Sequence, residues 1–302
     1  MGKVRRTWLL MKRYKWIYLL IVPALAVAFV FNYMPMAGIQ IAFRDFKYTK
    51  GIWGSDWVGL KYFTRMFMEP TFLRVFRNTM WISCLKIVIV FPAGVIFALL
   101  LNEITNKPAK RIYQTASYLP HFLSWVVLSG IIRDLLSIDG PVNALIELLG
   151  GTPQVLLANT QLFVPILVVS ELWQSVGWSS IIFLAAITSV GKELYESAEI
   201  DGAGRVRKII SITLPSIMPV VMVMFILRLG SIMNAGFDQV FNLYNPVVYS
   251  VGDIIDTYSY RVGMFDRNYS YSTAIGLFKN VVGVVLMLTV NFLSSKMGES
   301  TL

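Results

Sequence analysis

The stretch TMWISCLKIVIVFPAGVIFALLL, residues 79–101, carries a single charged side chain, Lys86. An α-helix rises ~1.5 Å per residue, so about 20 such residues cross the ~30 Å hydrocarbon layer of a bilayer. Lipid offers no partner to a free backbone N–H or C=O, and a helix satisfies them internally. An outer-membrane barrel would instead show short segments of alternating polarity. Working outward, five more apolar blocks occupy residues 16–35, 117–136, 162–187, 216–237 and 273–294. The predicted fold class is all-α: a polytopic bundle of six transmembrane helices with short loops, one domain rather than several.

Composition points the same way. Of 302 residues, 56% are hydrophobic and 15% charged, against about 25% charged in an ordinary soluble domain. The apolar residues are gathered in blocks, which excludes a water-soluble core. One cysteine, Cys84, rules out an internal disulfide and reads as a small packing residue. The net charge of +10 raises the question of nucleic acid, but no run of five basic residues occurs. Lys and Arg collecting in cytoplasmic segments explain it better.

Loop charge sets an expected orientation. With the N-terminus inside, segments 1–15, 102–116, 188–215 and 295–302 hold 14 Lys or Arg, and the longer opposite set, 36–78, 137–161 and 238–272, holds 9. Both termini are therefore expected in the cytoplasm of a bacterial cell (inner or plasma) membrane protein. The expected organisation is a cytoplasmic segment 1–15, a transmembrane domain 16–295 and a cytoplasmic tail 296–302. Loop 36–78 runs against the bias with seven basic residues, and its amphipathic stretch 59–67 is expected along the outer interface. The N-terminus imitates a signal peptide, with a cleavage-like Ala24-Leu25-Ala26, but the apolar run continues beyond it and predicts a retained span. No strong internal repeat or low-complexity segment is evident.

Segment 188–215 differs from the other loops. Residues 192–200 predict a short helix, Gly202 and Gly204 a flexible turn, and residues 205–213 a second helix with Val206, Ile209 and Ile210 at helical spacing. Pro215 ends that helix or opens the next span. The result is a helix–turn–helix between spans four and five. Small Ser197 and Ala198 would let another backbone approach, and Glu196 and Glu199 could meet its basic groups. The residues alone equally allow an amphipathic connector lying on the inner headgroups.

The spacing Glu196-Ser197-Ala198, Gly202, Ile212, Leu214-Pro215 resembles the signature loop of binding-protein-dependent ABC importer permeases, with Ser197 in place of the commonest Ala. Trp57-Val58-Gly59-Leu60, Asn78-Thr79, Leu119-Pro120, Gly140-Pro141-Val142-Asn143 and Phe237-Asp238-Gln239-Val240-Phe241 extend the likeness to six-span sugar permeases of the maltose and alginate importer type. The resemblance implies a permease that hydrolyses nothing itself. It would pair with a second permease and with ATP-binding subunits holding ATP and Mg. An extracytoplasmic solute-binding protein would deliver an oligosaccharide or polysaccharide fragment. The implied coupling residues are Glu196, Ser197, Ala198, Gly202, Leu214 and Pro215.

Pathway candidates lie within the spans. Glu171 and Arg228 sit near mid-membrane, where charges face a cavity or pair with each other. Trp173, Gln174, Gly177, Trp178 and Ser180 follow on the fourth span; the Trp-to-Gly region resembles the sugar-contacting part of maltose-type permeases, and aromatic, amide and hydroxyl groups suit sugar rings. For any single one of these residues helix packing, helped by Gly177 and the small serines, is the favoured reading. Asn234 is a comparable candidate. Lys86 and Lys279 are placed nearer the outer surface, where they snorkel, or else make a positive vestibule favouring an acidic saccharide.

No catalytic or metal-binding constellation is predicted, and ATP binding has no G-x-x-x-x-G-K-[ST] in this chain. The alternatives are a secondary carrier, which leaves the signature spacing unexplained, and an intramembrane hydrolase built on His121 and Ser124.

Overall fold

A computed structural model describes residues 13–296. The expectations for residues 1–12 and 297–302 lie outside the described residues. Helix α1 runs Lys15–Phe43, passing from α-helix through a π turn at Phe29–Tyr33 into a 3-10 stretch, Met34–Phe43. A two-residue antiparallel pairing follows, β1 (Arg44–Asp45) with β2 (Asp56–Trp57), Arg44 opposite Trp57. Then come α2 (Lys61–Met68) and the long α3 (Pro70–Glu103). Helix α4 (Lys107–Tyr118) continues as a 3-10 turn, Leu119–Phe122, before α5 (Trp125–Leu135) and α6 (Pro141–Leu148). The remaining helices are α7 (Phe163–Thr188), α8 (Lys192–Ile200), α9 (Arg205–Gly230), α10 (Phe237–Leu243), α11 (Ile255–Tyr260) and α12 (Tyr269–Lys296).

Helices α3 and α7 form the spine and run parallel. Ile82 shares a cluster with Phe163 and Leu167, Lys86 pairs with Glu171, Phe91 meets Phe183, and Ala98 joins Ile187. Close approach is possible because Gly94 has no Cβ to collide with Ser179, whose Oγ would lie at 2.5 Å. Helix α9 runs the other way, from Ile217 beside Ile187 up to Arg228 beside Glu171. Helix α12 starts with Tyr271 beside Tyr62 and descends to Met287 beside Gly230.

The third span differs from the single helix expected at 117–136. It is two helices, Lys107–Phe122 and Trp125–Leu135, bent by 105° at the break. Pro120 lies in the 3-10 turn, and Ser124 restarts the chain as an N-cap, its hydroxyl accepting from the Val127 N–H at 3.4 Å. The second span begins at Pro70 rather than residue 79, with proline in the first turn where its missing N–H costs nothing. The fifth span ends at Gly230, not residue 237, and breaks until α10, with Gly236 at φ +95°. At its other end, the second loop helix and the span are one helix. Pro215 stands in the first turn of the α-helical part, Leu214–Gly230, directly after the π turn Ile209–Thr213, so it opens the span without interrupting the continuous helix.

Three smaller points concern single residues and the second loop. Cys84 is exposed on the outside of α3, not packed. The stretch around α2 packs one face on the bundle, with Tyr62 and Met66 buried against Phe72 and Tyr271, and leaves Leu60 and Phe67 exposed on the other. The basic residues of loop 36–78 that opposed the charge bias are partly engaged within the protein. Lys50 pairs with Asp56, Arg65 with Glu69, and Arg44 donates to the Ser55 carbonyl.

Candidate translocation cavity and docking loop

A cavity of about 390 Å³ opens between α3, α7 and α9. Phe91 comes from α3, Glu171, Ser175, Trp178 and Ser179 from α7, and Arg228 from α9, with Ser231 just beyond it. The fold thus brings together three of the expected pathway residues: Glu171, Trp178 and Arg228. Glu171 Oε1 accepts from Arg228 Nη2 at 2.7 Å. One face of the Trp178 indole is covered by the His121 imidazole, parallel at 4.5 Å between ring centres.

Glu171 has a second cationic partner. Lys86 Nζ lies 2.5 Å from Glu171 Oε2 and donates to Gln239 Oε1 at 2.5 Å and to the Ala235 carbonyl at 2.6 Å. Gln239 is fixed by donating to the Leu167 carbonyl and Ser170 Oγ. This network closes the break after α9, where an irregular backbone at membrane depth needs partners. Lys86 is 1% exposed and does not snorkel. Lys279 is also paired, with Asp256 at 2.5 Å, so neither lysine is left without a carboxylate partner.

The other candidates fall elsewhere. Trp173 lines a separate apolar cavity of about 420 Å³ with Ile132, Leu136 and Ile166. Gly177 packs α7 against α4, where a Cβ would overlap the Ser117 backbone. Ser180 is fully buried and donates to the Gly177 carbonyl at 2.6 Å. Gln174 is half-buried and outside the charged cavity. Asn234 is exposed and opens onto a third cavity, of about 650 Å³, with Asp256, Tyr260 and Lys279. Sequence reasoning missed Ser175, Ser179, Ser231 and Gln239. Ser175 and Ser179 stand four and eight residues after Glu171 on the same helix, and Ser231 stands three after Arg228, which was a usable signal. Gln239 enters the sequence reading only within the Phe237-Asp238-Gln239-Val240-Phe241 stretch, and its role as a partner of Lys86 depends on where α9 breaks.

His121 and Ser124 do not form a nucleophile–base pair. The serine hydroxyl caps α5 and the histidine ring is stacked on Trp178, with no hydrogen bond between them among the described residues.

The loop at the far end of α7 is a locked unit. Helix α8 ends in a Schellman arrangement: Gly202 has φ +75°, Ala203 N donates to the Ala198 carbonyl at 2.8 Å and Gly202 N to the Glu199 carbonyl at 3.0 Å. Lys208 bonds Glu199 at 2.6 Å, and Tyr195 OH meets Thr213 Oγ1 at 2.9 Å. The hydrogen bond from Lys208 holds the Glu199 carboxyl below the ordinary carboxylate range. Gly204 has φ −69° and is the N-cap of α9 rather than a second left-handed turn. Glu196 and Ser197 are exposed and Ala198 is partly covered, while Ile200 is 88% exposed at the tip. Leu214 packs into the cluster with Ile187 and Ile217, and Pro215 is exposed.

Residues 90–299 match the family model described as binding-protein-dependent transport system inner membrane component. The chain is 44% identical over 300 residues to the polygalacturonan/rhamnogalacturonan transport system permease protein YteP of Bacillus subtilis, covering 98% of this chain and 94% of that one. It is similar to a chain in the crystal structure of a bacterial ABC transporter involved in the import of the acidic polysaccharide alginate, with 36% identity, TM-score 0.90, and 96% and 99% of the two chains covered. It is similar also to a chain of the bacterial alginate ABC transporter in complex with alginate pentasaccharide-bound periplasmic protein, with 35% identity, TM-score 0.89, and 98% and 99% covered. A match over more than half its length, with relatives covered nearly end to end, makes this chain a multi-pass member of the binding-protein-dependent transport system inner-membrane component family.

Proposed function

We propose that this chain is one of two permeases in an ABC importer, carrying an oligosaccharide handed over by an extracytoplasmic binding protein. ATP hydrolysis takes place on a separate subunit docked beneath the α8–α9 loop. The observation that carries this reading is the continuity of α9. A single helix runs from Arg205, at the exposed loop, to Arg228, in the charged cavity. The loop is fastened to that helix by the Schellman turn, the Glu199–Lys208 bond and the Tyr195–Thr213 bond. A displacement imposed on Glu196, Ser197, Ala198 or Gly202 is therefore transmitted along a rigid element to the pathway, as coupling between two distinct sites requires.

The loop end is the cytoplasmic one, with both termini on that side. The alginate importer crystallised with its periplasmic protein supports the delivery step, and the polygalacturonan permease supports a saccharide cargo. No nucleic acid is involved. The test is oligosaccharide uptake by proteoliposomes holding this chain, its second permease and its ATP-binding subunit. Uptake should require both ATP inside and the binding protein outside. Uptake driven by an ion gradient without ATP would make the protein a secondary carrier instead.

A further inference from the structure

The charges around Glu171 do not balance. Lys86 Nζ meets only acceptors: Glu171 Oε2, the Ala235 carbonyl and Gln239 Oε1. The glutamine oxygen is fixed in that role because its amide nitrogen donates to the Leu167 carbonyl and Ser170 Oγ. Lys86 and Glu171 form a pair of zero net charge, whichever of the two holds the shared proton. Glu171 is thereby compensated before Arg228 is counted. Arg228 takes the remaining carboxylate oxygen through Nη2 alone, and its other N–H groups bond nothing among the described residues. Its side chain is 39% exposed, and it lines the cavity with Trp178, Ser175 and Ser231. Glu171 and Arg228 are the charged residues of that lining, so two cations share one carboxylate and the surplus charge faces the opening.

We infer that Arg228 is the group that selects cargo, and that the cavity takes a saccharide bearing carboxylates, a uronic-acid oligomer, over a neutral one. This deepens the permease reading above and rests on it. A guanidinium with free N–H groups matches a carboxylate in shape and charge, and a carboxylate arriving there makes the cluster neutral. The open face of Trp178 suits the apolar side of a sugar ring, and Ser175 and Ser231 suit its hydroxyls. Lys86 does not play this part, because its hydrogens are committed inside the bundle.

The test is direct binding to the purified complete transporter in nanodiscs, without the binding protein, so that delivery cannot supply the selectivity. The probes are a galacturonic acid trisaccharide and its methyl ester, equal in length and differing in charge. The acid should bind wild type roughly tenfold more tightly, as one charge-assisted hydrogen-bonded pair would give, and the margin should shrink with salt. Arg228→Gln should lose the margin while still binding the ester, and Arg228→Lys should keep part of it. Equal binding of acid and ester by wild type, binding of neither, or an unchanged margin in Arg228→Gln would each overturn the inference. ATP-dependent uptake in the proteoliposome assay would still stand in those cases, which separates this failure from failure of the permease reading. If Arg228→Gln does not assemble with its partners, Arg228→Lys and the salt dependence decide, and a salt-independent margin counts against the proposal.

Discussion

Lys86 and Lys279 look alike in the sequence, each a lone lysine in an apolar block, yet the fold treats them differently. Lys86 is buried in a three-acceptor cage, whereas the Lys279–Asp256 pair is partly open, at 14% and 23% side-chain exposure. Removing one partner of a buried pair costs roughly 3–5 kcal/mol, and an open pair contributes far less. Lys86→Met is therefore expected to lower the thermal midpoint of the detergent-solubilised transporter much more than Lys279→Met. Equal shifts would contradict the cage. The sequence misplaced Lys86 for a simple reason. Position in an apolar block says nothing of the neighbouring helices, and it is the packing of α3 on α7 that sets Lys86 against Glu171. Gly202 was legible, because a helix end followed by glycine calls for a left-handed residue. No atom lies within 4 Å of where its Cβ would stand, so only backbone conformation penalises a side chain, by roughly 1–2 kcal/mol. Gly202→Val should cut uptake severalfold at unchanged membrane level, and Gly202→Asn, which tolerates the left-handed region, should stay near wild type. Equal loss in both would point instead to steric docking at that position.

Between elements, the crossing of α4 over α7 depends on Gly177. That residue reads as a pathway candidate from sequence, whereas the structure puts it under the Ser117 backbone. The two roles predict different phenotypes. Gly177→Val should force the helices apart and reduce the amount of folded protein in the membrane, as overpacking does. A pathway residue would instead leave the amount unchanged and lower uptake. Immunoblots of membrane fractions beside uptake rates separate these. The break before α5 is a second element-level feature. Ser124→Ala removes an N-cap and is expected to cost roughly 1 kcal/mol, read as a fall of a few degrees in thermal midpoint. The existence of six apolar blocks and of the α8 bounds was legible, because both rest on local pattern. The 105° break and the end of α9 at Gly230 were not. Apolar content stays high through both, so a window tuned to hydrophobicity runs straight across them, and only the capping serine and the glycines at 230 and 236 hint otherwise.

For the whole molecule, the broken third span decides the topology. A pair bent by 105° is either one interrupted crossing or a re-entrant loop that returns to its own side, and the two assign opposite sides to residues 145 and 200. The packing against α7 argues for a crossing. Ser117 lies beside Gly177 in the middle of α7, and Ile132 clusters with Phe163 and Leu167 at its start. The α4–α5 pair therefore climbs from the end of α7 that leads into the α8–α9 loop to the opposite end, although α5 by itself has 11 residues and is too short to span. Its outer end is held by Arg133, which donates through Nε to the Asn242 carbonyl at 3.0 Å. Counting α1, α3, the α4–α5 pair, α7, α9 and α12 as crossings puts residue 200 on the side where the chain begins its first span. Reporter fusions after residues 55, 145 and 255 should accordingly be active with an enzyme that works only outside the membrane. Fusions after residues 110 and 200 should be active with one that works only inside. The decisive pair is 145 and 200. If 145 reports inside and 200 outside, the pair is re-entrant, the docking loop faces away from any ATP-binding subunit, and the coupling assigned to Glu196, Ser197, Ala198 and Gly202 falls with it.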